Sequence, residues 1–119
     1  MIKKDRKKLE KKLEELWKQA VKKKWGNWCS ICSSSANLHV HHFVHRSKSN
    51  NLRYDVENGV VLCARDHLSL HNGQEAIMAV LIARKRGDKW WKYIEKQKNI
   101  FIRKNLGWYE DTLNNLQTK

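Results

Sequence analysis

All six histidines of this 119-residue chain fall between Leu38 and His71, in two groups separated by a polar stretch and a short apolar run. Leu38 to Val44, which carries His39, His41 and His42, alternates well enough for a β-strand. Gly59-Val60-Val61-Leu62, bounded by turn residues, is a second strand that pairs with it. Cys63, Asp66, His67 and His71 follow at the start of a helical pattern that runs to Gly87. Strand, strand and helix therefore converge on imidazoles. His67 and His71 are four apart and share one helix face, where they can hold one metal ion together. His41 and His42 are adjacent on a strand and point to opposite sides unless a bulge re-aims one, so one can bind metal while its neighbour acts as a base.

The flanks are helical. Leu9, Leu13, Leu16, Trp17, Ala20 and Val21 recur at steps of three and four, giving residues 5–24 one apolar stripe on a surface of Lys and Glu. Gly26 and Asn27 stand where a C-cap is expected. Residues 33–37 read as the loop of a knuckle or hairpin, and residues 46–58, rich in Ser, Asn and charge, as a surface loop between the strands. A further helix is predicted over residues 88–104, with Trp91, Ile94, Lys98 and Phe101 on one face. Trp17 and Trp91 then belong to the core, and Trp90 or Trp108 is free to stack on an unpaired base. After Gly107, a tail with Trp108, Tyr109, Leu113 and Leu116 either docks back or mediates self-association. The class is α+β, one domain over residues 1–119: a basic helix (1–25), a ββα core (29–73) and a helical extension (74–119).

Charge and cysteines narrow the function. Lys and Arg exceed Asp and Glu by 25 to 12, a net +13, which points to a polyanionic partner. The run of lysines from Lys3 to Lys12 and Lys22-Lys23-Lys24 are expected to track phosphates. No apolar stretch approaches the length of a membrane span and no secretory leader pattern opens the chain, so a cytoplasmic location is expected. Three cysteines cannot all pair within one chain, and Cys29-Ser30-Ile31-Cys32 has metal-knuckle spacing. With Cys63 they need a fourth ligand for a structural zinc. Asp66 either supplies it or caps the helix and leaves three buried thiols.

The His41-His42 pair, Asn58 and His67 resemble the HNH, or ββα-metal, endonuclease motif. The runs Tyr54-Asp55-Val56-Glu57-Asn58 and His67-Leu68-Ser69-Leu70-His71-Asn72-Gly73 are similar to the active-site module of colicin-type DNases. The wider layout resembles phage recombination nucleases of the NinG type, which would place the chain in a bacterial host cell. The resemblance covers residues 29–73 and implies the following roles. His41, His67 and His71 hold one divalent ion (Zn, Ni, Mn or Mg) that polarises the scissile phosphate and stabilises the leaving 3′ oxygen. His42 is the general base, and Asn58 locks the inter-strand loop that fixes it. The products carry 5′-phosphate and 3′-hydroxyl ends. Many relatives have Asp in place of His41, and the all-imidazole set favours borderline transition ions over Mg²⁺. His39, where relatives often carry an acid, is a supporting group or an alternative ligand.

Arg46, Lys48 and Arg53 are the candidate DNA-backbone contacts. The expected activity is metal-dependent nicking or cleavage of DNA. The alternatives are a DNA-binding or branch-recognising recombination module with a structural metal site, and an interaction protein that uses its Trp/Leu tail. A homodimer suits a double-strand cutter and is unnecessary for a nickase.

Overall fold

The computed structural model describes residues 2–118. Its longest element is α1 (Lys3–Trp25), which buries Leu13, Trp17, Ala20 and Val21 on the stripe expected from their spacing. Gly26 closes it at φ 97°, a left-handed conformation, with its N–H on the Lys22 carbonyl at 2.8 Å. Two strands follow, β1 (Leu38–His42) and β2 (Gly59–Cys63), paired antiparallel with His41 opposite Val60 and His42 opposite Gly59. The α+β class stands. β2 is buried at every position, so its apolar run faces packing on both sides, whereas β1 is partly exposed. Helices α2 (Ala64–Ser69), α3 (Glu75–Arg86), α4 (Asp88–Lys98) and α5 (Leu106–Gln117) complete the chain. No described helix is long and apolar enough to cross a membrane.

Several expectations are corrected. The helix expected from Asp66 to Gly87 is two helices: it starts at Ala64 with Cys63 at its N-cap and breaks in the widened turn Leu70–Gln74. There Asn72 leaves helical geometry and Gly73 adopts φ 91°, a value that disfavours any side chain. Asp66 is therefore not the cap. Residues 46–58 are not simply a surface loop, because Ser49, Leu52, Tyr54, Val56 and Asn58 are buried. Their alternation with polar residues hides an inward face in a stretch without regular structure.

Helix α4 ends at Lys98 and not near 104, and its inward face is Trp90 and Ile94, with Trp91 turned outward. Phe101 lies beyond the helix and is 86% exposed. The tail docks back: α5 lies on α1, burying Tyr109 and Leu116, and the Tyr109 hydroxyl donates to Glu10 at 2.9 Å.

Two apolar clusters flank β2. One joins α1, the Tyr54–Val56 turn and α5; the other joins Cys29, Leu52, Val60, Leu62, Ile82, Trp90 and Ile94. Between them runs a 3-10 turn, Val56–Asn58, whose approach is held by tryptophans. The indole N–H groups of Trp17, Trp25 and Trp90 donate to the consecutive carbonyls of Asp55, Val56 and Glu57 at 2.8, 3.0 and 2.9 Å. Each indole contributes apolar area and one bond to a carbonyl of this irregular backbone, adding to the Asn58 and Gly59 N–H groups that close the turn itself.

Gly59 begins β2 so close to α1 that a methyl there collides with Val21. Gly59→Ala is expected to lower the unfolding free energy by about 1–3 kcal/mol through overpacking. Val21→Ala in the same molecule should recover part of that loss in urea unfolding. Strictly additive losses would mean the two sites do not touch.

Candidate metal and catalytic site

Strand alternation sorts the histidines. His39 and His41, two apart on β1, face α2, and their rings lie 5.0 and 4.0 Å from that of His67. His71, one helical turn on, brings its ring 4.7 Å from His67 and 6.2 Å from His41. The Nε2 atoms of His67 and His71 stand 2.8 Å apart. Four imidazoles thus meet between β1 and the end of α2. His41 Nε2 is buried and has no hydrogen-bond partner. Burial first, then the neighbouring imidazoles, lowers its pKa to about 4, and burial also lowers His67. His41 and His67 are thereby held toward the neutral form, and at 2.8 Å one ring of the His67–His71 pair donates to the other. The donor set and the orphaned nitrogen fit a divalent ion of the borderline class.

His42 faces the other way. Its ring stacks on Trp17 with centroids 4.1 Å apart and planes 12° from parallel. Its Nε2 lies 2.8 Å from the Arg53 carbonyl, which can only accept, so the proton sits on Nε2 and Nδ1 is the basic atom. Burial lowers its pKa, partly opposed by that backbone hydrogen bond, so the neutral form prevails. The ring is positioned by an indole face from α1 and by a loop carbonyl. Neither was identifiable from the sequence, because no spacing rule links Trp17 or Arg53 to His42.

The loop that supplies this carbonyl is closed by Asn58, which is fully buried. Its Oδ1 accepts from Val44 N–H at 2.8 Å, and its Nδ2 donates to the carbonyls of Val44 and Leu52 at 3.0 and 3.1 Å. Among the cations expected on DNA, Arg46 and Lys48 are exposed. Arg53 is instead engaged: its guanidinium pairs with Glu10 at 3.0 Å, the carboxylate that also receives Tyr109.

A second set lies at the other end of the sheet. The ligand atoms of Cys29, Cys32, Cys63 and Asp66 all fall within 4.8 Å of one another, a cluster that can hold a metal ion. Asp66 Oδ2 is 3.1 Å from Cys29 Sγ and 3.3 Å from Cys63 Sγ, while the Cys32 and Cys63 sulfurs are 3.6 Å apart. Two thiolates on a tetrahedral zinc stand about 3.8 Å apart, given Zn–S bonds of about 2.3 Å. Burial raises the Asp66 carboxyl, but the three thiol hydrogen bonds outweigh it and the net shift is downward, to the ionised form that a ligand needs. The helix-cap role once open to Asp66 is filled by Cys63, which leaves the carboxylate free to face the sulfurs.

Residues 29–73 match the family model for HNH endonuclease, the family that the His41-His42, Asn58 and His67 pattern resembles. No curated protein and no solved structure matches the chain.

Replacing Asn58 by Ala removes three hydrogen bonds and strands the Val44 and Leu52 groups in a buried site. The expected loss of stability is about 2–3 kcal/mol, read by denaturant unfolding. A loss below about 0.5 kcal/mol, the range of ordinary surface substitutions, would show that the loop closes without it.

Proposed function

We propose, from the HNH endonuclease match over residues 29–73, that this chain is a metal-dependent endonuclease that hydrolyses phosphodiester bonds of DNA. The observation that carries the reading is the division of labour along β1. His41 faces a pocket of imidazoles with an unpartnered buried nitrogen, and His42 is held as a neutral base on the other side. His41, His67 and His71 would hold one divalent ion, with His39 beside His67. Bound there, such an ion would polarise the scissile phosphate and offset charge on the leaving oxygen.

The chain's own groups do the rest. His42 Nδ1 takes a proton from water as the water oxygen attacks phosphorus and the bond to the 3′ oxygen breaks; that oxygen takes a proton from solvent, giving 5′-phosphate and 3′-hydroxyl ends. Donation from Nε2 to the Arg53 carbonyl and contact with Trp17 keep the ring from turning as it becomes charged. Asn58 fixes the loop that carries that carbonyl. Arg46 and Lys48 bind backbone phosphates, while Arg53 acts through its main chain. The cysteine set holds a structural zinc that clamps the 29–34 knuckle to the first turn of α2.

Two measurements test this. Metal-stripped protein restored with Zn²⁺, Ni²⁺, Mn²⁺ or Mg²⁺ in turn is expected to nick or linearise supercoiled plasmid with at least one ion. His42→Ala should cut at least a hundredfold more slowly, with DNA affinity unchanged and the fold retained by circular dichroism, at a melting temperature lowered by loss of the Trp17 stack and the Arg53 bond. If neither protein cuts plasmid or branched DNA with any ion, yet both bind it, the catalytic assignment falls and a binding module replaces it.

For the knuckle, Zn²⁺ added to chelator-treated protein at about 100 times its dissociation constant should stabilise the fold by about 2.7 kcal/mol. Cys63→Ser should lose most of that gain. A stabilisation equal in both would remove the cysteine set from the metal sites.

A further inference from the structure

Between α4 and α5 the chain crosses residues 99–105 with no regular structure, and in the middle of this crossing Phe101 is 86% exposed. Ile100 and Leu106, at 41% and 56%, lie on either side. The crossing is nevertheless tied down. Asn50 Nδ2 donates to the Ile102 carbonyl at 2.7 Å and Asn50 Oδ1 accepts from Ile102 N–H at 3.2 Å, so one amide side chain satisfies both backbone groups next to Phe101. Asn51 Nδ2 donates to the carbonyl and side-chain oxygen of Gln97, at 3.1 and 2.9 Å, on the other side of it. The phenyl ring is thus presented to solvent from a strip pinned before and after it.

The surroundings say what such a ring meets. The strip that carries it has no acidic residue from Lys96 to Tyr109, and the loop it is tied to has none from Leu38 to Tyr54. Arg103 and Lys104 on the one, and Arg46 and Lys48 on the other, are exposed. Those last two are the candidate phosphate contacts, and the loop that bears them also places the Arg53 carbonyl on His42. A protruding apolar ring, with Ile100 and Leu106 beside it, in a frame of cations suits a partner that is anionic outside and apolar within. Duplex DNA is such a partner, with phosphates along its edges and stacked bases inside.

We propose that Phe101 is a wedge that inserts between adjacent base pairs while Arg46, Lys48, Arg103 and Lys104 hold the flanking phosphates. It makes the bent or unstacked step against which the histidine site works. The proposal rests on the DNA-directed reading above and adds the element that deforms the substrate. Pinning by Asn50 and Asn51 matters because a ring on a loose loop would lose, on ordering, much of what insertion gains.

The test uses metal-free full-length protein and duplexes with 2-aminopurine placed at successive positions, whose fluorescence rises when the base loses its neighbour. Binding is followed separately by anisotropy. Wild type is expected to raise the fluorescence several-fold at one or two adjacent positions. Phe101→Ala should abolish the rise, keep an affinity within about tenfold of wild type and leave the melting temperature unchanged, since the side chain packs on little of the fold. Phe101→Leu, still an apolar wedge, should restore most of the rise.

DNA bound by wild type with no rise at any position overturns the wedge while leaving the DNA-directed reading intact. Absence of binding overturns that reading itself. A rise that survives Phe101→Ala assigns the deformation elsewhere. If Phe101→Ala instead converts a dimer to monomers in sedimentation, the ring belongs to a contact between copies and the proposal fails.

Discussion

A single amide side chain, that of Asn58, determines whether residues 43–58 are a loop or a scaffold. It takes one N–H and two carbonyls from segments 14 and 6 residues away, and does so without any access to water. Beyond isolated turns and the short 3-10 turn at its end, the inter-strand segment has no ladder in which to satisfy its backbone, and a side chain with both donors and an acceptor makes the closure. Once it is made, Phe43 N–H reaches the Asn58 carbonyl at 2.8 Å and extends the β1–β2 pairing by one residue. The Arg53 carbonyl then arrives at His42, and Asn50 and Asn51 are placed to hold the 99–105 crossing.

The electrostatics follow from burial more than from net charge. A chain at +13 would be expected to push protons off its histidines everywhere, yet His41 and His67 are lowered first by desolvation and only then by neighbouring imidazoles, and His42 is lowered by desolvation against its Arg53 hydrogen bond. The long-range field and the local site thus do separate jobs. Exposed Lys and Arg draw a polyanion in, and His41 keeps its lone pair because burial removes the solvent that would stabilise a proton there. Glu10 shows the complementary case. Arg53 and Tyr109 both contact it, and it anchors the inter-strand loop and α5 to the same turn of α1.

Much of this was legible in the residues, and the parts that were not share a cause. The Leu13-Trp17-Val21 stripe, the two strands and the His67–His71 pair follow from periodicity and spacing, which are local properties, whereas grouping His41 with that pair rests on the family resemblance. Trp90 and Trp91 exchanged roles because both sit on a plausible stripe. The choice goes with Glu57, whose carbonyl accepts from the Trp90 indole and also from Arg86. Leu52 and Tyr54 were hidden in a polar stretch, since burial there is imposed by α1 and α5 and not by a repeating pattern. Phe101 was assigned to the inward face of α4 because the pattern continues past Lys98, whereas Asn50 and Asn51 capture the backbone first and end the helix's reach.

The three indoles that hold Asp55, Val56 and Glu57 come from Trp17, Trp25 and Trp90, and none of them lies within residues 29–73. The segment that resembles a family is therefore not a self-contained cassette. Grafted onto another scaffold, it would arrive with its central turn stripped of the three indole donors, each lost bond worth about 1 kcal/mol, and with His42 lacking the aromatic face that steadies it. A change in either flank that displaced one of these rings would be felt at the histidines without altering any of them. In a lineage of such chains the motif and its flanks are expected to vary together, with the tryptophans as the heritable joint between them.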